Sequence, residues 1–171
     1  SLVFIVDEDR VKALDAETGQ QRWEIHRGFA GPGFPVRAGS PEDPLCVTGW
    51  TTKEGSRISV LDARTGRPRW TWQLPEDAVF RDPPLVHGNS LVIPLRNGQL
   101  WQFDLKTGKL KSRLTFLEPL AGPCSLNLST STLACLGKAQ ARYLVSLEPQ
   151  LSVTSITLQN QSVEGGELIS T

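Results

Sequence analysis

One turn is written three times along this chain. Ala13–Trp23 reads ALDAETGQQRW, Val60–Trp70 reads VLDARTGRPRW, and Gln102–Ser112 reads QFDLKTGKLKS. Aligned without a gap on Asp15, Asp62 and Asp104, the copies superpose Thr18, Thr65 and Thr107, and then Gly19, Gly66 and Gly108. Trp23 and Trp70 match, while Ser112 takes the third Trp's place. The spacing is 47 residues from 15 to 62 and 42 from 62 to 104. A decayed fourth copy, YLVSLEPQLSV, puts Glu148 at the Asp place, 44 residues after 104, and has no Thr-Gly pair. Such a period confines the chain to folds that repeat one supersecondary unit and bury its faces by stacking.

The unit is read from its local chemistry. Before each Asp the apolar residues alternate, as at Val11 and Ala13 or Ile58 and Val60, the period of a strand with a buried face. Asp bonds backbone amides two residues on, Thr does so more weakly, and Gly supplies the positive φ of a reversal. Asp-x-x-Thr-Gly is therefore a hairpin turn, and Trp23 and Trp70 open the next strand as packing anchors. Upstream of each hairpin lies another apolar run, SLVFIV, PLCVTGW, SLVIPL or STLACL, and before most of these a shorter one, FPVRA, PPLVH or PCSLNL. That makes about four strands per period, the pattern of propeller blades. The expected fold is all-β, with about four four-stranded antiparallel blades at 1–28, 29–76, 77–117 and 118–160 and a further strand in 161–171. A β-sandwich is the competing architecture, but sandwiches rarely repeat a turn in register.

The string VKALDAETGQQRW resembles the repeat of the pyrroloquinoline-quinone-like (PQQ-like) β-propellers, in which Ala-x-Asp-x-x-Thr-Gly-x-x-x-Trp docks its Trp between adjacent blades. The resemblance is good in Ala13–Trp23 and Val60–Trp70, partial in Phe103–Ser112 and faint in Leu144–Leu158. The family includes quinoprotein dehydrogenases, the scaffold lipoprotein of the outer-membrane barrel-assembly machinery, and luminal or extracellular sensor domains of kinases. The resemblance implies that the chain is a segment of a larger propeller, since relatives carry seven or eight blades. A small closed ring is the alternative, with residues 161–171 returning to pair with Leu2–Val6. An open stack would need its end blades covered by further sequence or another chain.

Few residues are left over for chemistry. The quinoprotein enzymes hold their cofactor against a disulfide of adjacent cysteines beside a calcium ion, and no two cysteines are adjacent here. Asp7, Glu8 and Asp9 form the densest acidic cluster, but three consecutive side chains cannot converge to the six to eight oxygens that calcium takes. His26 and His87, the two histidines, fall in no zinc-binding frame. A hydrolytic site would need one of them brought to a Ser or Cys by the fold. No catalytic, cofactor-binding or metal-binding residue is assigned, no cofactor is expected, and the chain is read as a non-catalytic protein-interaction or scaffold module. A ligand-sensing domain of a kinase-type receptor and a fragment of a quinoprotein dehydrogenase are the alternatives.

Eighteen basic and eighteen acidic residues leave no net charge, so neither nucleic acid nor an anionic membrane surface is indicated as partner. The absence of an apolar run of about eighteen residues argues against direct membrane insertion. A protein partner is expected, with Phe29, Phe34 and Arg37 of the Gly- and Pro-rich stretch HRGFAGPGFPVR as candidate contacts. Trp50, Trp72 and Trp101 lie outside the repeated Trp place and are assigned to core packing. If SLNLSTSTLA is a hairpin turning near Ser129 and Thr130, Cys124 and Cys135 stand opposite one another. They are then either a disulfide or two small buried hydrophobes, and Cys46 is unpaired in both cases. The sequons at Asn127 and Asn160 permit glycosylation in a eukaryotic secretory compartment. The setting expected is extracytoplasmic: periplasmic, luminal or secreted.

Overall fold

The computed structural model describes residues 1–7, 9–26, 29–30 and 34–158, with the backbone alone at 29, 30, 52 and 158. Every regular element among them is a strand, and all strand pairs are antiparallel. The first sheet is the meander β1 (Leu2–Asp7), β2 (Arg10–Asp15) and β3 (Gln21–His26). The second contains β4 (Phe29–Ala30), β5 (Val36–Gly39), β6 (Pro44–Thr52), β7 (Gly55–Asp62) and β8 (Pro68–Gln73). The third runs β9 (Leu85–His87), β10 (Ser90–Pro94), β11 (Gln99–Asp104), β12 (Leu110–Thr115). The fourth runs β13 (Ser125–Asn127), β14 (Thr132–Leu136), β15 (Ala141–Ser146), β16 (Ser152–Leu158).

These are propeller blades stacked face to face, and three apolar layers fill the spaces between them. Val11, Ala13 and Trp23 of the first sheet meet Cys46, Leu61 and Ala63 of the second. The largest layer sets Ile58 and Val60 against Leu91, Ile93 and Phe103. The third sets Val92 and Leu100 against Leu133, Tyr143 and Val145. Alternation explains why Leu91 and Ile93 face one layer while Val92 faces another. A strand covered on both sides can be buried throughout, as β10 is: all five of its residues are buried, four of them apolar.

The end sheets differ. Val3 and Ile5 of the first sheet and Leu144 of the fourth are exposed on the outer faces. Among the described residues no strand of the first sheet pairs with one of the fourth, so the described strands do not close into a ring. Residues 161–171, on which a small closed ring would depend, lie outside the described residues.

Two local expectations change. The stretch 26–37 is not wholly loop: β6 extends past β5, and Phe29 and Ala30 pair with Thr51 and Trp50 on the edge that β5 leaves free. Phe34 is a core residue, not a surface contact. It lies edge-on to Phe80 with centroids 5.0 Å apart, and it packs so closely on Gly49 that a Cβ there would lie 2.5 Å from its ring. Trp50 and Trp101 are buried, and Trp72 meets Phe103 edge-on, 5.3 Å between centroids.

Candidate functional site

The repeated turns build the walls of the site. Asp15 Oδ1 accepts the amides of Glu17 at 3.0 Å and Thr18 at 3.2 Å. Asp62 Oδ1 accepts those of Arg64 and Thr65, both at 3.0 Å, and Asp104 Oδ1 that of Thr107 at 2.8 Å. Each turn closes with its glycine at φ 70°, 71° or 72°. The remaining carboxylate oxygen takes a side-chain donor: Arg22 for Asp15 at 2.8 Å, Arg69 for Asp62 at 2.9 Å, and Asn89 for Asp104 at 2.5 Å. The Arg22 guanidinium, with the two turn amides, holds the Asp15 carboxyl well below the ordinary carboxylate range. At Asp62 and Asp104 burial pushes upward but is outweighed by the hydrogen bonds, so both are also lowered. Arg22 and Arg69 went unassigned in the sequence, although an Arg directly before the Trp in both good copies was the available signal.

The Trp after each turn fastens its sheet to the next. Trp23 Nε1 donates to the Ala63 carbonyl and Trp70 Nε1 to the Leu105 carbonyl, both at 2.8 Å. Each ring lies on the turn glycine of the following sheet: a Cβ would come within 2.8 Å of Trp23 at Gly66 and within 2.6 Å of Trp70 at Gly108. Those glycines serve the reversal and the close approach together. At Gly19 nothing lies within 4 Å.

The third junction does the same job with other residues. Ser112, at the Trp place, donates to Gln102 Oε1 at 2.8 Å, and Gln102 Nε2 donates to the Leu147 carbonyl at 2.9 Å. Pairing register corrects the fourth copy. Thr132 faces Ser146 as Leu2 faces Asp15, Leu45 faces Asp62 and Ser90 faces Asp104, so the Asp place belongs to Ser146 and not to Glu148. Ser146 Oγ accepts the Glu148 amide at 3.3 Å, repeating the Asp turn with a hydroxyl. Leu147 is then the counterpart of Ala63 and Leu105.

A cleft of about 460 Å³ opens between the first and second sheets at the end that carries these turns. Leu2 and Phe4 of β1 form one side, with Asp15 and Arg22 at its rim. Arg37 of β5, Pro41, Pro44 and Arg64 form the other. Arg64 is held there by bonds to the carbonyls of Pro41 at 2.9 Å and Glu42 at 3.1 Å. Arg37 is exposed and makes no hydrogen bond or ion pair with another described residue. Of the three residues expected to contact a partner, the structure thus brings Arg37 to the cleft, places Phe34 in the core, and describes Phe29 by its backbone alone.

Other candidate chemistry resolves into structural contacts. His87 Nε2 and Ser131 Oγ lie 2.8 Å apart across the third junction. No carboxylate among the described residues orients the other ring nitrogen, which a hydrolytic triad requires. Asp7 pairs with Lys12 and Asp9 with His26, so the two point to different partners, and Glu8 lies outside the described residues. No three His, Cys, Asp or Glu among the described residues converge as a metal site. Cys124 and Cys135 form a disulfide across the β13–β14 hairpin, Cα atoms 4.4 Å apart, and both are buried in the third layer. That bridge does not fit a quinone pocket, whose disulfide joins adjacent cysteines, and the described residues offer no other. Cys46 is free, and burial pushes its thiol up to about 12.

Residues 7–158 match the family model described as outer membrane protein assembly factor BamB. The crystal structure of BamB from Moraxella catarrhalis superposes with a TM-score of 0.67 at 17% identity, over 96% of this chain and 51% of that one. The serine/threonine-protein kinase AfsK of Streptomyces griseus is 30% identical over 120 residues, 66% of this chain but 14% of the kinase. The chain therefore spans about half of the solved relative and a small part of the kinase.

Proposed function

We propose, from the premise that the chain belongs to the family of the outer membrane protein assembly factor BamB, that it is a non-catalytic protein-interaction module of an extracytoplasmic complex. One observation carries this reading: the inter-sheet cleft, open to solvent, is walled by an apolar strand edge and by arginines held in place by the turns. The repeated Asp, Thr, Gly and Trp are engaged in those turns and in the junctions behind them, as a scaffold requires. The Cys124–Cys135 bridge supports an oxidising compartment, since disulfides persist there and are rare in the cytosol.

The test has two arms. Incubated with the quinone, calcium, alcohol or sugar substrates and an artificial electron acceptor, the chain should give no turnover above a heat-denatured control, and turnover would refute the reading. A photo-crosslinker at Arg37 should yield a defined protein adduct in extract of the source cell, absent from a crosslinker at exposed Lys111 on β12. Equal adducts from both sites would take the cleft out of the interaction.

The match to the kinase supports a second reading, a sensing domain carried by a kinase chain. It predicts saturable binding of a small ligand and a kinase domain in the same polypeptide, and sequencing the parent gene decides between the two.

A further inference from the structure

The cleft lies where the other three sheets carry an inner strand. In the second sheet β5 covers Leu45, Cys46 and Val47, in the third β9 covers Ser90–Val92, and in the fourth β13 covers Thr132–Ala134. Each pairing begins beside the residue that faces the turn Asp or its substitute, and spans three or four residues. In the first sheet that residue is Leu2, and β1 pairs only with β2 among the described residues.

This edge, unpaired among the described residues, is competent to pair. The Ser1 carbonyl accepts the Ala16 amide, so Ser1 bonds toward β2. By antiparallel alternation Leu2, Phe4 and Val6 turn their backbone N–H and C=O groups outward. A strand laid there would present alternate side chains to the second sheet. The third junction shows what such a side chain meets: His87, opposite Ser90, reaches Ser131 of the next sheet at 2.8 Å. By the same register Ser131 corresponds to Pro44, a residue of the cleft wall. A side chain at the place of His87 therefore enters the cleft beside Arg37, with Arg22 and Arg64 alongside. Asp15 is the lone carboxylate among these residues, and Arg22 already binds it.

We propose that the cleft takes an extended peptide segment of a protein partner, added antiparallel to β1, with a carboxylate side chain received by Arg37. The backbone ladder supplies affinity without sequence preference, and the guanidiniums select for acid. The proposal rests on the interaction reading above and names the partner's chemistry.

The probe is a fluorescein-labelled eight-residue peptide of alternating valine and glutamate, titrated by anisotropy against the full chain. Two controls accompany it: the valine–lysine counterpart, and the valine–glutamate peptide N-methylated on its glutamates, whose amides face β1 when their side chains face the cleft, so that it cannot complete a ladder in that register. The acidic peptide should bind saturably, and the lysine peptide at least about tenfold more weakly. N-methylation should abolish binding, and Arg37→Glu should weaken it about tenfold with the circular dichroism spectrum unchanged. Raising the salt should also weaken it. No binding of the acidic peptide, equal binding of the lysine peptide, or indifference to N-methylation would each overturn the proposal. A peptide that fails while the Arg37 crosslinker still captures its partner would refute the strand mode and leave the interaction reading standing. Failure of both would sink the two together.

Discussion

The second and third junctions solve one problem with opposite materials. Between the second and third sheets Trp70 supplies an indole that covers Gly108 and stacks near Phe103, centroids 5.9 Å apart, as well as a donor for the Leu105 carbonyl. Between the third and fourth, Gln102 supplies the donor alone, held by Ser112, and the apolar contact comes from elsewhere. Phe116 meets Tyr143 at 4.7 Å between centroids, and the Cys124–Cys135 bridge lies in the same layer. The requirement common to both is a side-chain donor aimed at the carbonyl of the residue that follows the turn Asp or its substitute. Area is a separable contribution, and its source varies.

The comparison breaks most visibly at the aromatic junction. Trp70→Ala removes area and donor together and should cost about 3–5 kcal/mol in denaturant unfolding. Trp70→Phe keeps most of the area but strands a buried carbonyl and should cost about 2 kcal/mol. Equal losses for the two variants would mean that the donor is the whole of the lock.

Next come the glycines, which separate backbone conformation from contact. Gly108→Ala meets both a left-handed φ and the Trp70 ring and should cost about 3 kcal/mol. Gly19→Ala has the same φ with open space around it and should cost about 1 kcal/mol. Matching losses at the two sites, measured by chemical denaturation, would show that the ring adjusts and the close approach is not needed.

At the polar junction Gln102→Leu should cost about 2 kcal/mol, because the Leu147 carbonyl and the Ser112 hydroxyl lose their partner in a buried layer. The third and fourth sheets should then lose amide protection together. Protection loss spread evenly over all four sheets would contradict a local lock.

The smallest effect is set by acid. Asp15, Asp62 and Asp104 have folded-state pKa values below the unfolded value of about 3.9. Their stabilisation is therefore fully present above that value and is lost as pH falls through the folded values. Stability should be level between about pH 5 and 7 and should decline below about pH 4. In the turn at Ser146 the acceptor of the turn amide is a hydroxyl and not a carboxylate. Amide protection factors at pH 3 should fall at Gly19, Gly66 and Gly108 relative to pH 6, while that of Glu148 holds. A parallel fall at Glu148 would point to global unfolding instead.

What was legible in the chain follows from range. The Asp-x-x-Thr-Gly turns and the strand count could be read because their chemistry lies within a dozen residues, whereas the docking of Trp23 and Trp70 between sheets was implied only by the resemblance to the PQQ-like repeat, their partner carbonyls lying 40 and 35 residues on. The hairpin register that sets Cys124 opposite Cys135 is equally local, and the structure joins the two in a disulfide. Gln102 was missed because its partner carbonyl lies 45 residues on and carries no sequence signal. The fourth copy places Glu148 at the Asp position by its 44-residue spacing alone, and pairing register, which sequence does not show, gives that position to Ser146. Phe34 looked like a surface anchor in a Gly- and Pro-rich stretch, and only tertiary packing on Gly49 and Phe80 puts it inside. The cleft itself was illegible, since its sides come from strands that meet only on stacking.

In every lock described, the receiving atom is a main-chain oxygen: that of Ala63, Leu105 or Leu147. A peptide carbonyl is present whatever side chain a codon specifies. The side chain of the receiving residue can therefore drift after a repeat is duplicated, provided the preceding repeat keeps a side chain able to reach across with a hydrogen and, where that side chain is Trp, the turn glycine beneath its ring is kept. Divergence along such an array is uneven: the donor and the glycine beneath it record ancestry, while the side chain of the receiving residue, Ala63 or Leu105, does not. The fourth repeat has travelled far along that course while remaining docked.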